Sequence, residues 1–278
     1  MPSSYSSQSF SLRRVGAMIR RYTYLLRSSW SRILDLMYWP AVQMVTWGFL
    51  QTYLAHLPQT QTLASRATLA AGTLIGAIML WDILFRGQLG FSLSFLEEIW
   101  SRNIGNLMMS PLRSSELIVS LMAMSLIRLA LGLVPVTLLA IWFFGFNLWS
   151  LGVGLALFFV NLILTSWSIG LITAGLVLRN GLGAENLMWT VMFLILPLAC
   201  VYYPVSVLPA WLQPIAWCLP PAYVFEGMRA LLLEQQLRLD LMAEAFCLNI
   251  VLFGISIGVF FALMQSARRI GSLLQTGE

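Results

Sequence analysis

No lysine occurs in the 278 residues, and all 16 basic side chains are arginine. A phosphate-binding P-loop needs its lysine to reach the β- and γ-phosphates, so this chain has no Walker-type route to ATP hydrolysis. A single histidine, His56, leaves neither an HExxH pair nor a histidine-rich metal cluster. With only Gln59 and Gln61 nearby and no acid beside it, His56 is also a poor general base. Catalytic, metal and cofactor sites are therefore not expected. Cys200, Cys218 and Cys247 lie far apart without CxxC spacing. They read as buried free thiols, with one bridge on an oxidising side as the lesser alternative. Charge itself is scarce, at 10% of residues, where a soluble domain carries about 25%.

What is abundant is apolar: 59% of the residues are hydrophobic and the mean hydropathy is +0.82. A water-soluble chain could not cover its surface with this composition, so an all-α, multispanning membrane protein is expected. A crossing needs about 20 apolar residues for about 30 Å of hydrocarbon. Six segments qualify: Ile33–Leu54, Thr68–Phe85, Leu117–Phe144, Leu148–Leu178, Leu187–Tyr203 and Leu241–Met264. No short apolar core followed by a cleavage site precedes them, so no removable signal peptide is expected. With the N-terminus inside, one side holds Arg13, Arg14, Arg20, Arg21, Arg27, Arg32, Arg86, Arg102, Arg113, Arg179, Arg268 and Arg269. The other holds Arg66, Arg229 and Arg238. The positive-inside rule then places both termini in the cytoplasm. The net charge of +5 reads as this topology signal and not as a nucleic-acid surface.

Three segments are neither spans nor plain loops. In residues 9–32, Phe10, Val15, Met18, Ile19, Tyr22, Leu25 and Leu26 recur at helical steps among arginines. This predicts an amphipathic helix along the cytoplasmic interface, with guanidinium heads among anionic headgroups; an unstructured positive-inside flag is the alternative. Residues 1–8, serine-rich, are expected to be disordered. Residues 95–109 carry a second amphipathic pattern, FLEEIWSRNIGNLMM, with Glu97 and Glu98 in its early turns and Glu98 four residues before Arg102. A helix that merely covers the bundle's end is at least as good a reading of that pattern as a docking site. Residues 204–234 hold proline-punctuated apolar pieces too short to span, which predicts a re-entrant pair of half-helices on the outer side. Glu226 and Arg229, three apart, can pair on the second of them. A tail follows at 265–278.

Arg128 stands inside the third span, where an unpaired charge costs several kcal/mol. Glu226 is one candidate partner; a snorkelled arginine or a substrate contact are others. Asp35 and Asp82 are expected near the cytoplasmic ends of spans one and two. Asn161, Thr165, Ser166 and Ser168 suit interhelical hydrogen bonds. Trp47, Trp81, Trp149 and Trp167 suit interface anchoring, packing or contact with an amphiphile.

The order of these elements resembles the ABC-2 type exporter permeases. The resemblance rests on Phe95–Ser120 (FLEEIWSRNIGNLMMSPLRSSELIVS) and Pro204–Leu232 (PVSVLPAWLQPIAWCLPPAYVFEGMRALL); the order of elements matches over essentially the whole chain, with the transmembrane domain at residues 33–264. It implies a permease subunit in the bacterial inner membrane that works as a homodimer with two copies of a separate cytoplasmic ATPase, which would bind the ATP and Mg. It further implies that the helix after span two is a coupling helix, with Leu96, Glu97, Glu98, Ile99, Trp100, Arg102 and Asn103 as docking positions. Glu226 and Arg229 would help shape an outer gate. The resemblance leaves the cargo open among a lipid-linked or other saccharide, a lipid, an amphiphilic substrate and a peptide. An ion-coupled secondary transporter or a membrane-embedded transferase are the rival classes; no inverted repeat supports the first and no acid–base pair the second.

Overall fold

Apolar side chains at three- and four-residue steps fold the chain into helices, and no strand forms among the described residues. A computed structural model describes residues 10–56 and 72–270. The expected disordered start at 1–8, the first residues of the second span, Gln59, Gln61, Arg66 and positions 271–278 lie outside the described residues.

The helices are α1 (Leu12–Arg27), α2 (Trp30–His56), α3 (Thr73–Trp100), α4 (Ile104–Met109), α5 (Ser114–Phe144), α6 (Val153–Asn180), α7 (Leu187–Leu198), α8 (Gln213–Trp217), α9 (Pro220–Glu234) and α10 (Leu239–Ile270). Among them α3, α5, α6 and α10 are long and apolar enough to cross a membrane. Helix α2 matches them in length, but its sequence includes Arg32, Asp35, Gln43, Gln51 and His56.

Several expected boundaries move. The interfacial segment becomes α1, and a break at Ser28–Ser29 separates it from α2. The fourth span begins after a 3-10 turn at Leu148–Leu151, because Gly152 takes a positive φ before α6 starts. The fifth, expected at Leu187–Tyr203, is only the 12-residue α7, about 18 Å long. Pro197 stands in its last turn, and Cys200 then takes φ 53, which no helix continues through. The expected tail is helical through Ile270 as the end of α10. Cys200 is buried, but Cys218 and Cys247 are exposed, which corrects the expectation of three buried thiols.

Helix α6 lies at the centre, with α3 against one face and α10 against another. One core gathers Leu80, Leu84, Phe158, Leu162, Phe225 and Met228 from α3, α6 and α9. A second gathers Tyr22, Phe91, Phe95, Leu121, Leu171 and Phe260, so α1 is docked on the bundle by its apolar face. Helices α3 and α5 cross so closely at Gly90 that a Cβ there would stand 3.0 Å from the Ser125 Cα. Helix α9 opens with Pro220 and Pro221 in its first turn, where proline's missing N–H costs nothing.

Buried polar groups stitch the spans. Thr165 Oγ1 donates to Asn249 Oδ1 at 2.7 Å, and the Asn249 amide donates to Asn161 Oδ1 at 3.0 Å, which joins α6 to α10. Ser166 donates to the Leu84 carbonyl at 2.8 Å, joining α6 to α3. Ser168 instead bonds within its own helix, to Leu164.

Candidate functional site

The segment expected as one helix over 95–109 is an elbow. Its first half is the end of α3, which runs without a break from the second span to Trp100. Arg102 then takes φ 55, a left-handed conformation uncommon outside glycine, and α4 begins only at Ile104. Glu97 and Glu98 thus stand in the last turn of α3, not in early turns. Acids there face the negative end of the helix dipole, and each is offset by arginines from other helices.

Glu98 is fully buried. It takes both guanidinium nitrogens of Arg21, with Arg21 Nη2 to Oε2 at 3.1 Å, and accepts from Asn103 Nδ2 at 2.7 Å. The expected Glu98–Arg102 pair does not form, because the left-handed turn at Arg102 carries that side chain to the surface. Glu97 accepts from Arg128 Nη2 with both oxygens at 2.9 Å, and Arg32 Nη1 approaches it at 3.5 Å. Arg128, expected inside the third span, therefore reaches down α5 to the end of α3, and Glu226 is not its partner. Of the remaining expected docking residues, Leu96 is buried, Ile99 and Asn103 are half-buried, and Trp100 and Arg102 are exposed. The Trp100 indole donates to Glu185 Oε2 at 3.3 Å across to the α6–α7 connection.

A third pair closes the arrangement and was not singled out from the sequence. Glu116, fully buried, accepts from Arg14 Nε at 2.8 Å and Nη2 at 2.6 Å, and from the Ser11 N–H at 2.8 Å. It also accepts from the Arg113 N–H at 3.0 Å, capping the start of α5. An acid three residues after a helix cap was the legible signal. The neighbouring carboxylates hold Arg14 and Arg21 above the ordinary arginine value. Burial, then the Glu98 charge, pushes the Tyr22 phenol above its usual range.

Deeper in α3, Arg86 Nε donates to both Asp82 oxygens at 2.8 and 2.7 Å, and its Nη1 donates to the Leu36 carbonyl of α2 at 2.6 Å. Both residues are buried within α3, which continues past the expected end of the second span at Phe85 to Trp100. Asp35 is exposed.

At the proline-rich end, Glu226 and Arg229 do pair, at 3.2 Å. Glu226 Oε1 accepts from the Val205 N–H at 2.7 Å, and Arg229 Nη1 donates to the Cys200 carbonyl at 3.0 Å. The pair thereby pins the irregular 200–205 backbone to α9. The expected half-helices are α8, of five residues, and α9, of fifteen. Among the described residues no three His, Cys, Asp or Glu side chains come together as a metal site requires.

Four helices long and apolar enough to cross a membrane, with buried guanidinium–carboxylate pairs, fit a multi-pass helical membrane protein. The family comparison makes this specific: a family model for ABC-2 type transporters matches residues 17–233, and the chain belongs to that family. It is a membrane transporter permease, and permeases of this family are transmembrane subunits that generally lack a nucleotide site and work with an ATPase subunit. No individual curated protein gives a significant match.

Proposed function

We propose that the chain is the permease of an exporter in the bacterial inner membrane, working as a homodimer with two cytoplasmic ATPase subunits that bind the ATP and Mg. In this reading both termini are cytoplasmic. Helix α2, and α7 with the residues that follow it, complete six crossings with the four long helices, and the cargo is a lipid-linked, saccharide or amphiphilic molecule. ATP favours the closed ATPase pair through differential affinity, and closure displaces the elbow.

The observation that carries the proposal is the division of labour at the elbow. Trp100 is 48% exposed at the tip of a helix continuous with a span, and Arg102 is exposed beside it. Glu97 and Glu98 are turned inward onto α5 and α1. Docking contact then comes from Trp100 and Arg102, with Ile99 and Asn103 at the rim, while Leu96, Glu97 and Glu98 brace the lever. Glu226 and Arg229 hold the outer segment in the shape a gate needs.

Trp100→Ala and Arg102→Glu test this in the permease co-expressed with its ATPase. An interface tryptophan is worth about 2 kcal/mol or more, so ATPase recovery with the tagged permease should fall at least about thirtyfold. Insertion and the melting temperature of the permease should be unchanged. Undiminished recovery would reject the elbow as the docking element.

A further inference from the structure

Helix α1 has a face that the bundle does not use. Val15, Met18, Tyr22 and Leu26 are buried, and Arg14 and Arg21 are held by Glu116 and Glu98. Arg13, Arg20 and Arg27 follow at seven-residue intervals, which stacks them on the opposite side about 10 Å apart. All three are exposed, and among the described residues none has an acid in ion-pair range. Between the first two lies a shallow, open groove lined by Leu12, Arg13, Gly16, Ala17 and Arg20.

Gly16 has no internal reason to be glycine. A Cβ built there meets nothing within 4 Å, and a helix interior penalises glycine more than any residue except proline. Its missing side chain leaves room outside, between two guanidinium groups. The exposed Leu12 and Tyr24 on the same helix, and Trp30 just beyond it, supply the amphipathic flank that suits the headgroup level.

We infer that the Arg13–Gly16–Arg20 groove binds the phosphate of an anionic phospholipid headgroup, with Arg27 extending the site. Charge complementarity selects the occupant, and the membrane in which the chain sits supplies it. The inference is independent of ATPase docking.

The test uses the full chain, purified without any ATPase into phosphatidylcholine nanodiscs and titrated with phosphatidylglycerol, with bound lipid counted by native mass spectrometry. Each arginine near an anionic surface is worth about fivefold in affinity, so the double variant Arg13→Gln/Arg20→Gln should retain phosphatidylglycerol about 25-fold more weakly. Gly16→Leu should also weaken retention while leaving the melting temperature equal or higher, which separates occlusion of the groove from damage to the helix. Arg269→Gln, which removes one exposed arginine elsewhere, should cost at most about fivefold. The inference is overturned by equal binding of phosphatidylcholine, or by an equal loss in Arg269→Gln. It is also overturned if the double variant keeps its lipid in the nanodiscs but, in a parallel co-expression with the ATPase, no longer recovers that subunit, which would assign the face to a protein.

Discussion

Removing the carboxylate of Glu97 and removing the guanidinium of Arg128 should have unequal consequences, although they break the same pair. Arg128 is 5% exposed and Glu97 13%. Glu97→Gln leaves a buried cation without its counter-charge, with one amide oxygen in place of the two carboxylate oxygens that Nη2 reached at 2.9 Å, and with an Nε that already has no partner. An uncompensated buried charge of this kind costs about 3–5 kcal/mol. Arg128→Met leaves a carboxylate that keeps Arg32 at 3.5 Å and some water, so its cost is nearer that of a lost charged hydrogen bond, about 1–3 kcal/mol. The double variant Glu97→Gln/Arg128→Met replaces the pair by an amide and an apolar chain of similar volume and should lie within about 1 kcal/mol of the parent, because pairing had offset desolvation and little more. Thermal unfolding of the purified permease, followed by size-exclusion recovery after heating, ranks the three. The reasoning fails if the two single variants are equally unstable, or if the double is as unstable as their sum.

Other expectations follow from the same contacts. Asn249→Leu removes the amide that ties α10 to Asn161 and should lower stability by about 0.6–1.7 kcal/mol with unchanged insertion, measured by the same heating assay. Glu226→Ala frees the Val205 N–H and loosens Arg229 from its carboxylate. In a Cys218→Ser/Cys247→Ser background the buried Cys200 should then become reactive to maleimide, whereas unchanged labelling would show that the pair does not pin this segment. Gly90→Leu must push against the Ser125 backbone at 3.0 Å and should abolish recovery of folded protein, while Gly16→Leu should not.

The membrane class and the Glu226–Arg229 pair were legible because each depends on local spacing; an amphipathic first helix was expected along the membrane interface, whereas its apolar face packs on the bundle. Hydropathy reads a span without its neighbours, and three residues on one helix meet whatever surrounds them. The partner of Arg128 was not legible. It depends on how far α3 continues past the apolar run, and the polar letters after Phe85 hide that continuation: Gly87, Gln88, Gly90, Ser92 and Ser94 are all buried, with Gly90 against α5 and Gly87 and Ser92 against α6. Small and hydroxyl residues lower hydropathy yet allow close helix approach, so the apolar count stopped 15 residues before Trp100, where the helix ends. The same error turned one long helix into a span plus a separate coupling helix, and put Glu97 and Glu98 at the wrong end of a dipole. The stop in α7 was hidden for the opposite reason. Its sequence stays apolar through Tyr203, and only the left-handed turn at Cys200 ends it.

Three of the ion pairs form a closed circuit, and the circuit makes a non-additive prediction. Arg21–Glu98 ties α1 to α3, Arg128–Glu97 ties α5 to α3, and Arg14–Glu116 ties α1 to α5. Arg14 and Arg21 each hold both oxygens of their carboxylate through two nitrogens of a planar fork, whereas Arg128 reaches both Glu97 oxygens through Nη2 alone. With three links between three helices, breaking any one leaves the other two in place, and every helix is still held. Glu98→Gln alone should therefore open α1 only slightly, read as amide hydrogen exchange across residues 12–27. Glu116→Gln alone should behave likewise. Together they remove both links to α1 and leave only its apolar face, so exchange should rise by far more than the product of the single effects. A strictly multiplicative result would mean that the pairs act separately, and the elbow could then swing without carrying α1 and α5 with it.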